Sequence, residues 1–508
     1  MFHLETKERQ GKLETCFLFR KNELYWYKAT IYAQTMEWNL SIPEMRLIMY
    51  QINFSNPISI HFIGIGGISM SGLASILLTE GFTVSGSDAK ASPLTDELSA
   101  KGAVIYYGHR ASNIADSTQA VVYTAAVKED NIELQTARAK GIPALTRAEL
   151  LGQLMLNYKT AIGVAGTHGK TTTTGMLSHV LLAAETDPTI SIGGILPSIG
   201  GNIRIGGSDV FLTEACEYTN SFLSFHPTME IILNIKADHL DFFKDLDDIR
   251  HSFHLFAEKL DQDGLLVING DTENLSAFLE GLDCNIRTFG ADPKANDYSA
   301  SDITYDAFGC ASFTVLEKGQ ELTRITLNVP GIHNVYNALS VVALCRHMEL
   351  PVAQIQKGLS SFTGTNRRFQ KKGEIGGVTI VDDYAHHPDE IAATLAAAKN
   401  YPHRKIWCVF QPHTYTRTKA LLDDFAKTLA AADAVVLADI YAARETDTLG
   451  VSSRDLQEKI QALGTDVYYF PSFDEIENFL LENCINGDLL ITMGAGDIVK
   501  VGESILGL

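Results

Sequence analysis

Between residues 166 and 174 the chain reads Gly-Thr-His-Gly-Lys-Thr-Thr-Thr-Thr, residue types that together suit the holding of a phosphorylated ligand. Glycines let backbone N–H groups turn toward an anion with no Cβ in the way, and the free N–H groups opening the next helix add partial positive charge. Lys170 can reach the outer phosphates, and the neighbouring hydroxyl of Thr171 is the usual ligand for an accompanying Mg²⁺. Val164 stands where the longer phosphate-loop pattern wants glycine, so the compact form Gly-x-x-Gly-Lys-Thr is what this chain offers.

Other candidate residues sit where apolar runs end. Residues 209–213 run into Glu214-Ala215-Cys216-Glu217, and residues 231–235 run into Lys236-Ala237-Asp238-His239. In an α/β sheet ligands gather at the carboxyl ends of strands, which would bring Glu217, Asp238 and His239 near Lys170 and Thr171. A carboxylate and an imidazole around a triphosphate point to Mg²⁺ sites, although each residue alone reads equally as a helix cap or surface charge. Asn334 and Asn337 lie one turn apart on an expected helix and could read a base or ribose through paired donors and acceptors. Earlier, Gly64-Ile65-Gly66-Gly67 follows an apolar run, and Asp88 closes the next one. That is a Rossmann-like opening with Ser69 in the third glycine's place, a loop able to hold any diphosphate. A dinucleotide-dependent oxidoreductase therefore remains open here, as does a non-catalytic nucleotide-binding regulator.

The elements that must position these residues alternate between strand and helix along most of the chain, which predicts an α/β protein. At 508 residues the chain should hold about three domains. The expected divisions are a Rossmann-like domain over 49–156, a P-loop ATPase-like central domain over 157–365 and a second Rossmann-like domain over 366–508. Residues 1–48 show no sustained period and are read as an extension of uncertain status. No apolar run approaches the roughly 20 residues of a bilayer span, and the formal charge of −20 argues against nucleic acid or anionic membrane as partners. The seven cysteines lack paired spacing, which suits a reducing compartment and predicts a cytoplasmic protein.

Four motifs occur in order: Gly-Thr-His-Gly-Lys-Thr-Thr-Thr at 166–173, Asn-Ile-x-x-Asp-His at 234–239, Gly-x-His-Asn-x-x-Asn at 331–337 and Asp-Asp-Tyr-Ala-His-His-Pro at 382–388. Together they resemble the Mur ligase family of peptidoglycan synthesis, and most of all its branch that adds L-alanine to UDP-N-acetylmuramate. The resemblance implies ATP and Mg²⁺ as cofactors, an acyl phosphate intermediate, and a chain acting as monomer or homodimer. It implies that Gly166, Thr167, His168, Gly169, Lys170, Thr171 and Thr172 cradle the phosphates, with Thr171, Glu217 and His239 as metal ligands. His333, Asn334 and Asn337 would contact adenosine, and Arg368 would swing onto the phosphates. Gly64, Ile65, Gly66 and Gly67 would take the UDP diphosphate and Asp88 the uridine side, while Tyr384, His386 and Arg417 would place the amino acid. Lys170, Glu217, His239, Arg368 and His386 form the expected catalytic set. The chain departs from many relatives at Cys216, where an acid is common, and at Thr414, where arginine is common. Phe253 and His254 stand where other branches carry a carbamylated lysine. A recycling ligase that attaches a tripeptide to the same sugar nucleotide is the nearest alternative within the family.

Overall fold

The computed structural model describes residues 51–508 except 125, 240, 241 and 444, together with three strands nearer the N-terminus. Those strands, Leu4–Arg9, Lys12–Arg20 and Glu23–Tyr27, pair antiparallel in sequence order. The expectation for 1–48 otherwise lies outside the described residues.

Three sheets organise the remainder. The first is parallel and five-stranded, in the order Val104–Tyr107, Thr83–Asp88, Ser59–Ile63, Ala120–Tyr123, Ala144–Thr146. Its order reverses at Ser59–Ile63, and beyond that strand the glycine turn 64–67 leads into the helix Ile68–Thr79. Such a reversal opens a crevice at the carboxyl edge.

The second sheet has ten strands and places Thr160–Ala165 between Val210–Glu214 and Met229–Ile232. All three run parallel, so the phosphate loop, Glu214 and residues 233–239 leave the sheet at one edge. Ala161, Ile162, Val164 and Ala165 are fully buried, as a strand covered on both faces requires. The strands Tyr298–Tyr305, Cys310–Glu317 and Gln320–Pro330 are antiparallel among themselves yet continue the same sheet through the pairing of Phe289 with Tyr298. Helices Lys170–Ala183, Ile332–His347 and Val352–Ser361 bury their apolar faces in one cluster against it. The third sheet has six strands, in the order Gln370–Ile375, Val378–Asp383, Leu489–Met493, Ile406–Phe410, Ala434–Leu437, Asp466–Tyr469, parallel except for the opening hairpin.

Glycines permit the closest approaches between these layers. A Cβ on Gly72 would overlap Ile203, and one on Gly152 would overlap the carbonyl oxygen of Ser224. Among the described residues no helix is long and apolar enough to cross a membrane.

Candidate active site

The phosphate loop takes its shape from two glycines with positive φ, Gly166 at 139° and Gly169 at 89°, a region L-residues seldom enter. Gly166 also has no room for a side chain, since a Cβ would lie 2.9 Å from that of Leu233. The loop thus delivers Lys170 as the first residue of its helix. The Lys170 Nζ donates to the carbonyl of Gly166 at 2.6 Å, to that of Thr167 at 3.1 Å and to Glu217 at 2.9 and 3.2 Å. Burial opposes this ammonium charge, but the fields of Glu217, Cys216 and Glu214 prevail and hold its pKa above the ordinary value.

Glu217, only 2% exposed, also lies 3.6 Å from the Nε2 of His239. Burial lowers the His239 pKa against the pull of Asp238 and Glu217, favouring the neutral imidazole, the form that ligates metals. His239 holds a positive φ of 53°, and its ring lies 4.5 Å from that of Tyr218. Thr171 Oγ1 donates to Glu214 Oε2 at 3.0 Å, and Glu214 accepts a further bond from the Gly193 N–H at 2.6 Å. Glu217 and His239 thus lie together beside Lys170 while Thr171 is held to Glu214, and the hydroxyl and carboxylate oxygens are of the kind Mg²⁺ takes. The expected ligands Thr171, Glu217 and His239 fit that ion chemically.

Side chains of the third domain reach this site. Arg417 donates to Asp238 at 3.2 Å and approaches His413 Nδ1 at 3.2 Å. Asp238 is held at about 2, its burial outweighed by His239, Arg417 and His387. Glu390, in the first turn of the helix Pro388–Lys399, lies 3.3 Å from His168 Nδ1, 3.3 Å from His386 Nδ1 and 3.8 Å from Arg368. Burial works against the Glu390 carboxylate, yet His386, His168 and Arg368 hold its pKa well below the usual range. Tyr384 lies beneath Arg367 and Arg368, with the guanidinium carbons 4.9 and 5.5 Å from its ring centre.

Beside these contacts opens a cavity of about 470 Å³ lined by His168, Thr172, His333, Asn334, Asn337 and Arg368 among others. The two amides are coupled, Asn337 Nδ2 donating to Asn334 Oδ1 at 3.0 Å and Asn334 Nδ2 to the carbonyl of Pro330 at 2.8 Å. The fold therefore brings together the phosphate loop, the residues expected to meet adenosine, and Arg368, His386 and Arg417 of the third domain.

The remaining expected residues form a separate group at the first sheet. Gly64 and Ile65 donate to the Ser87 carbonyl at 2.8 and 3.0 Å, and Gly66 donates to Asp88 Oδ2 at 2.8 Å. Asp88 thus braces the glycine turn from within. Beneath it the buried Glu133 accepts from Ser87 Oγ and Asn113 Nδ2, each at 2.5 Å, and lies 3.1 Å from His109 Nδ1. Burial opposes its charge, but these partners and His61 hold Glu133 at about 2. Glu390 and Glu133 escaped the sequence reading, in which Glu214 stood as a strand end without a role. Glu214 carried a signal, ending the strand just before Glu217, whereas the others declare themselves only through partners far along the chain. Phe253 is core, edge-on to Phe222, and His254 contacts the Phe278 carbonyl.

Three family models match in succession: the Mur ligase family catalytic domain over residues 59–159, the Mur ligase middle domain over 164–345 and the Mur ligase glutamate ligase domain over 367–496. A UDP-N-acetylmuramate–L-alanine ligase of Lachnospira eligens is 62% identical over 458 residues, covering 90% of this chain and all of that protein. The ligase of the same name from Agathobacter rectalis is 59% identical over the same share of each. Among solved structures, UDP-N-acetylmuramate-alanine ligase MurC of Thermotoga maritima superposes with a TM-score of 0.73 at 31% identity, covering 89% of this chain and 98% of that one. A murein peptide ligase of Psychrobacter arcticus, at 24% identity and a TM-score of 0.65 over 89% of this chain and 98% of that one, shares the fold.

Proposed function

The chain belongs to the Mur ligase family, and from that premise we propose that it is the ATP-dependent ligase joining L-alanine to the lactyl carboxylate of UDP-N-acetylmuramate. The products are UDP-N-acetylmuramoyl-L-alanine, ADP and phosphate, a step of peptidoglycan synthesis. The observation that carries this reading is the chain of contacts from Lys170 through Glu217, His239 and Asp238 to Arg417. It sets a phosphate-binding cation against an arginine able to hold an amino-acid carboxylate.

The lactyl carboxylate attacks the γ-phosphate to give an acyl phosphate, whose carbonyl carbon the amine of L-alanine then attacks, expelling phosphate. Transfer between two anions needs placed cations more than it needs a nucleophile. Lys170 supplies one at the phosphate loop, and Arg368 supplies another from the third domain. His333, Asn334 and Asn337 take adenosine, and His168 and Thr172 line the passage to its phosphates. Thr171, Glu217 and His239 would hold Mg²⁺, which when bound neutralises phosphate charge. Arg417 pairs with the alanine carboxylate, with Tyr384 and His386 beside it. The turn 64–67 receives the diphosphate, and Asp88 the uridine side. Residues 49–156, 157–365 and 366–508 act as the sugar-nucleotide, ATP and amino-acid domains of a cytoplasmic enzyme.

Phosphate release in the presence of UDP-N-acetylmuramate, ATP, Mg²⁺ and a panel of amino acids tests the proposal, with the tripeptide L-alanyl-γ-D-glutamyl-meso-diaminopimelate included. ADP should form with L-alanine. Turnover with the tripeptide and none with L-alanine would assign the chain to the recycling branch instead.

A further inference from the structure

Arg147 opens the helix Arg147–Met155 directly after the strand Ala144–Thr146, at the carboxyl edge of the first sheet. Among the described residues its guanidinium makes one hydrogen bond, to Ser69 Oγ at 3.2 Å, and meets no carboxylate. Ser69 belongs to the first turn of the helix that follows residues 64–67. Burial lowers the Arg147 pKa, but an arginine stays charged, so a half-buried cation keeps most of its five donors without an acceptor. Such a group is completed by an incoming anion.

Its position is fixed from the other side as well. Gly152, on the same helix, lets the backbone close onto Ser224. Ser224 ends the segment Tyr218–Ser224, which Glu217 begins as its N-terminal cap. Arg147 is thereby braced between the glycine turn of the first domain and the loop that presents Glu217 to Lys170. The N-termini of the helices Ile68–Thr79 and Arg147–Met155 meet at the Ser69–Arg147 contact and add their partial positive charge.

We propose that Arg147 binds the lactyl carboxylate of the sugar nucleotide at the seam between the first and second domains, aiming the reacting acid at the phosphate loop. This deepens the ligase reading above and rests on it. The carboxylate fits better than the diphosphate, because the arginine's helix is docked through Gly152 on the segment that Glu217 caps, beside Lys170. A forked guanidinium–carboxylate pair also fixes direction as a point charge does not.

The test compares calorimetric binding of UDP-N-acetylmuramate and UDP-N-acetylglucosamine, which lacks the lactyl group, to the full chain and to Arg147→Met. Affinity for the muramate should fall about 10- to 100-fold while that for the glucosamine derivative stays at the wild-type value. Equal losses for both ligands would move Arg147 to the diphosphate and overturn the proposal, as would no loss for either. If Arg147→Met does not fold, Arg147→Lys keeps the charge without the fork. A smaller loss confined to the muramate then supports the assignment, and equal losses or none overturn it. A wild-type chain that forms no ADP with the muramate and L-alanine sinks the ligase reading itself, an outcome visible before any variant is made.

Discussion

Arg417 is engaged with Asp238 and His413, so under the proposed function L-alanine would have to compete for it. Arg417→Ala is expected to raise the KM for L-alanine at least tenfold while changing that for ATP little, as loss of a charge-assisted pair implies. Steady-state kinetics in both substrates check it, and equal effects would remove Arg417 from the amino-acid site. Glu230 is a residue of another kind. It lies fully buried in the strand Met229–Ile232, both carboxylate oxygens make no hydrogen bond among the described residues, and burial raises its pKa well above the ordinary value against the field of Lys259. A raised pKa means the folded chain keeps a proton that the unfolded chain has shed. Its contribution is therefore complete below the ordinary carboxylate pKa of 4.5 and is lost as pH climbs through the raised folded value. Glu230→Met should stabilise the chain by about 1–3 kcal/mol near pH 8 and flatten this part of the pH dependence, read by denaturant unfolding. An unchanged profile would show that Glu230 is not the titrating group.

At the scale of elements, the helix Arg147–Met155 offers a test in which two effects oppose each other. Alanine at position 152 would gain about 1 kcal/mol of helix propensity over glycine. Its Cβ, however, would overlap the carbonyl oxygen of Ser224, a backbone atom that cannot rotate away. Overpacking of this kind costs about 1–3 kcal/mol or more, so Gly152→Ala should lower the melting temperature and weaken sugar-nucleotide binding together. A rise in melting temperature would mean the seam is looser than it looks. Much at this scale was legible in the sequence, because the strands Ser59–Ile63, Thr160–Ala165, Met229–Ile232 and Ile406–Phe410 are short, mostly apolar runs and the phosphate loop lies within nine consecutive positions. What was not legible is contact across distance. Glu390 lies four residues after His386 in the first turn of the helix Pro388–Lys399 and reads as an ordinary first-turn acid, yet its neighbour His168 comes from another domain. Glu133 likewise reads as the first-turn acid of the helix Ile132–Ala139, and only folding sets Ser87, His109 and Asn113 around it. The extent of the ten-stranded sheet was hidden because one pairing, Phe289 with Tyr298, decides whether the antiparallel strands continue it.

Across the whole molecule, the central and C-terminal parts are joined at the site by the ion pair of Asp238 with Arg417 and by Glu390 against His168. Because the Glu390 pKa is depressed, its contribution is complete above the ordinary value of 4.5 and is lost as pH falls through the folded value. Glu390→Gln should therefore increase the radius of gyration of the nucleotide-free chain in small-angle scattering. Wild-type protein should show the same expansion on acidification, while the variant's dimensions change less. Identical dimensions for both proteins at neutral pH would show that Glu390 does not hold the parts together.

The clasp of Glu217 on the Lys170 ammonium carries one last consequence. Under the proposed function a triphosphate arriving at the loop would displace an internal counterion rather than fill a vacant charge, and would release the carboxylate proposed for the divalent ion. Each guest vacates the other's seat, so nucleotide and magnesium should enter as a thermodynamically linked pair, with either alone held weakly.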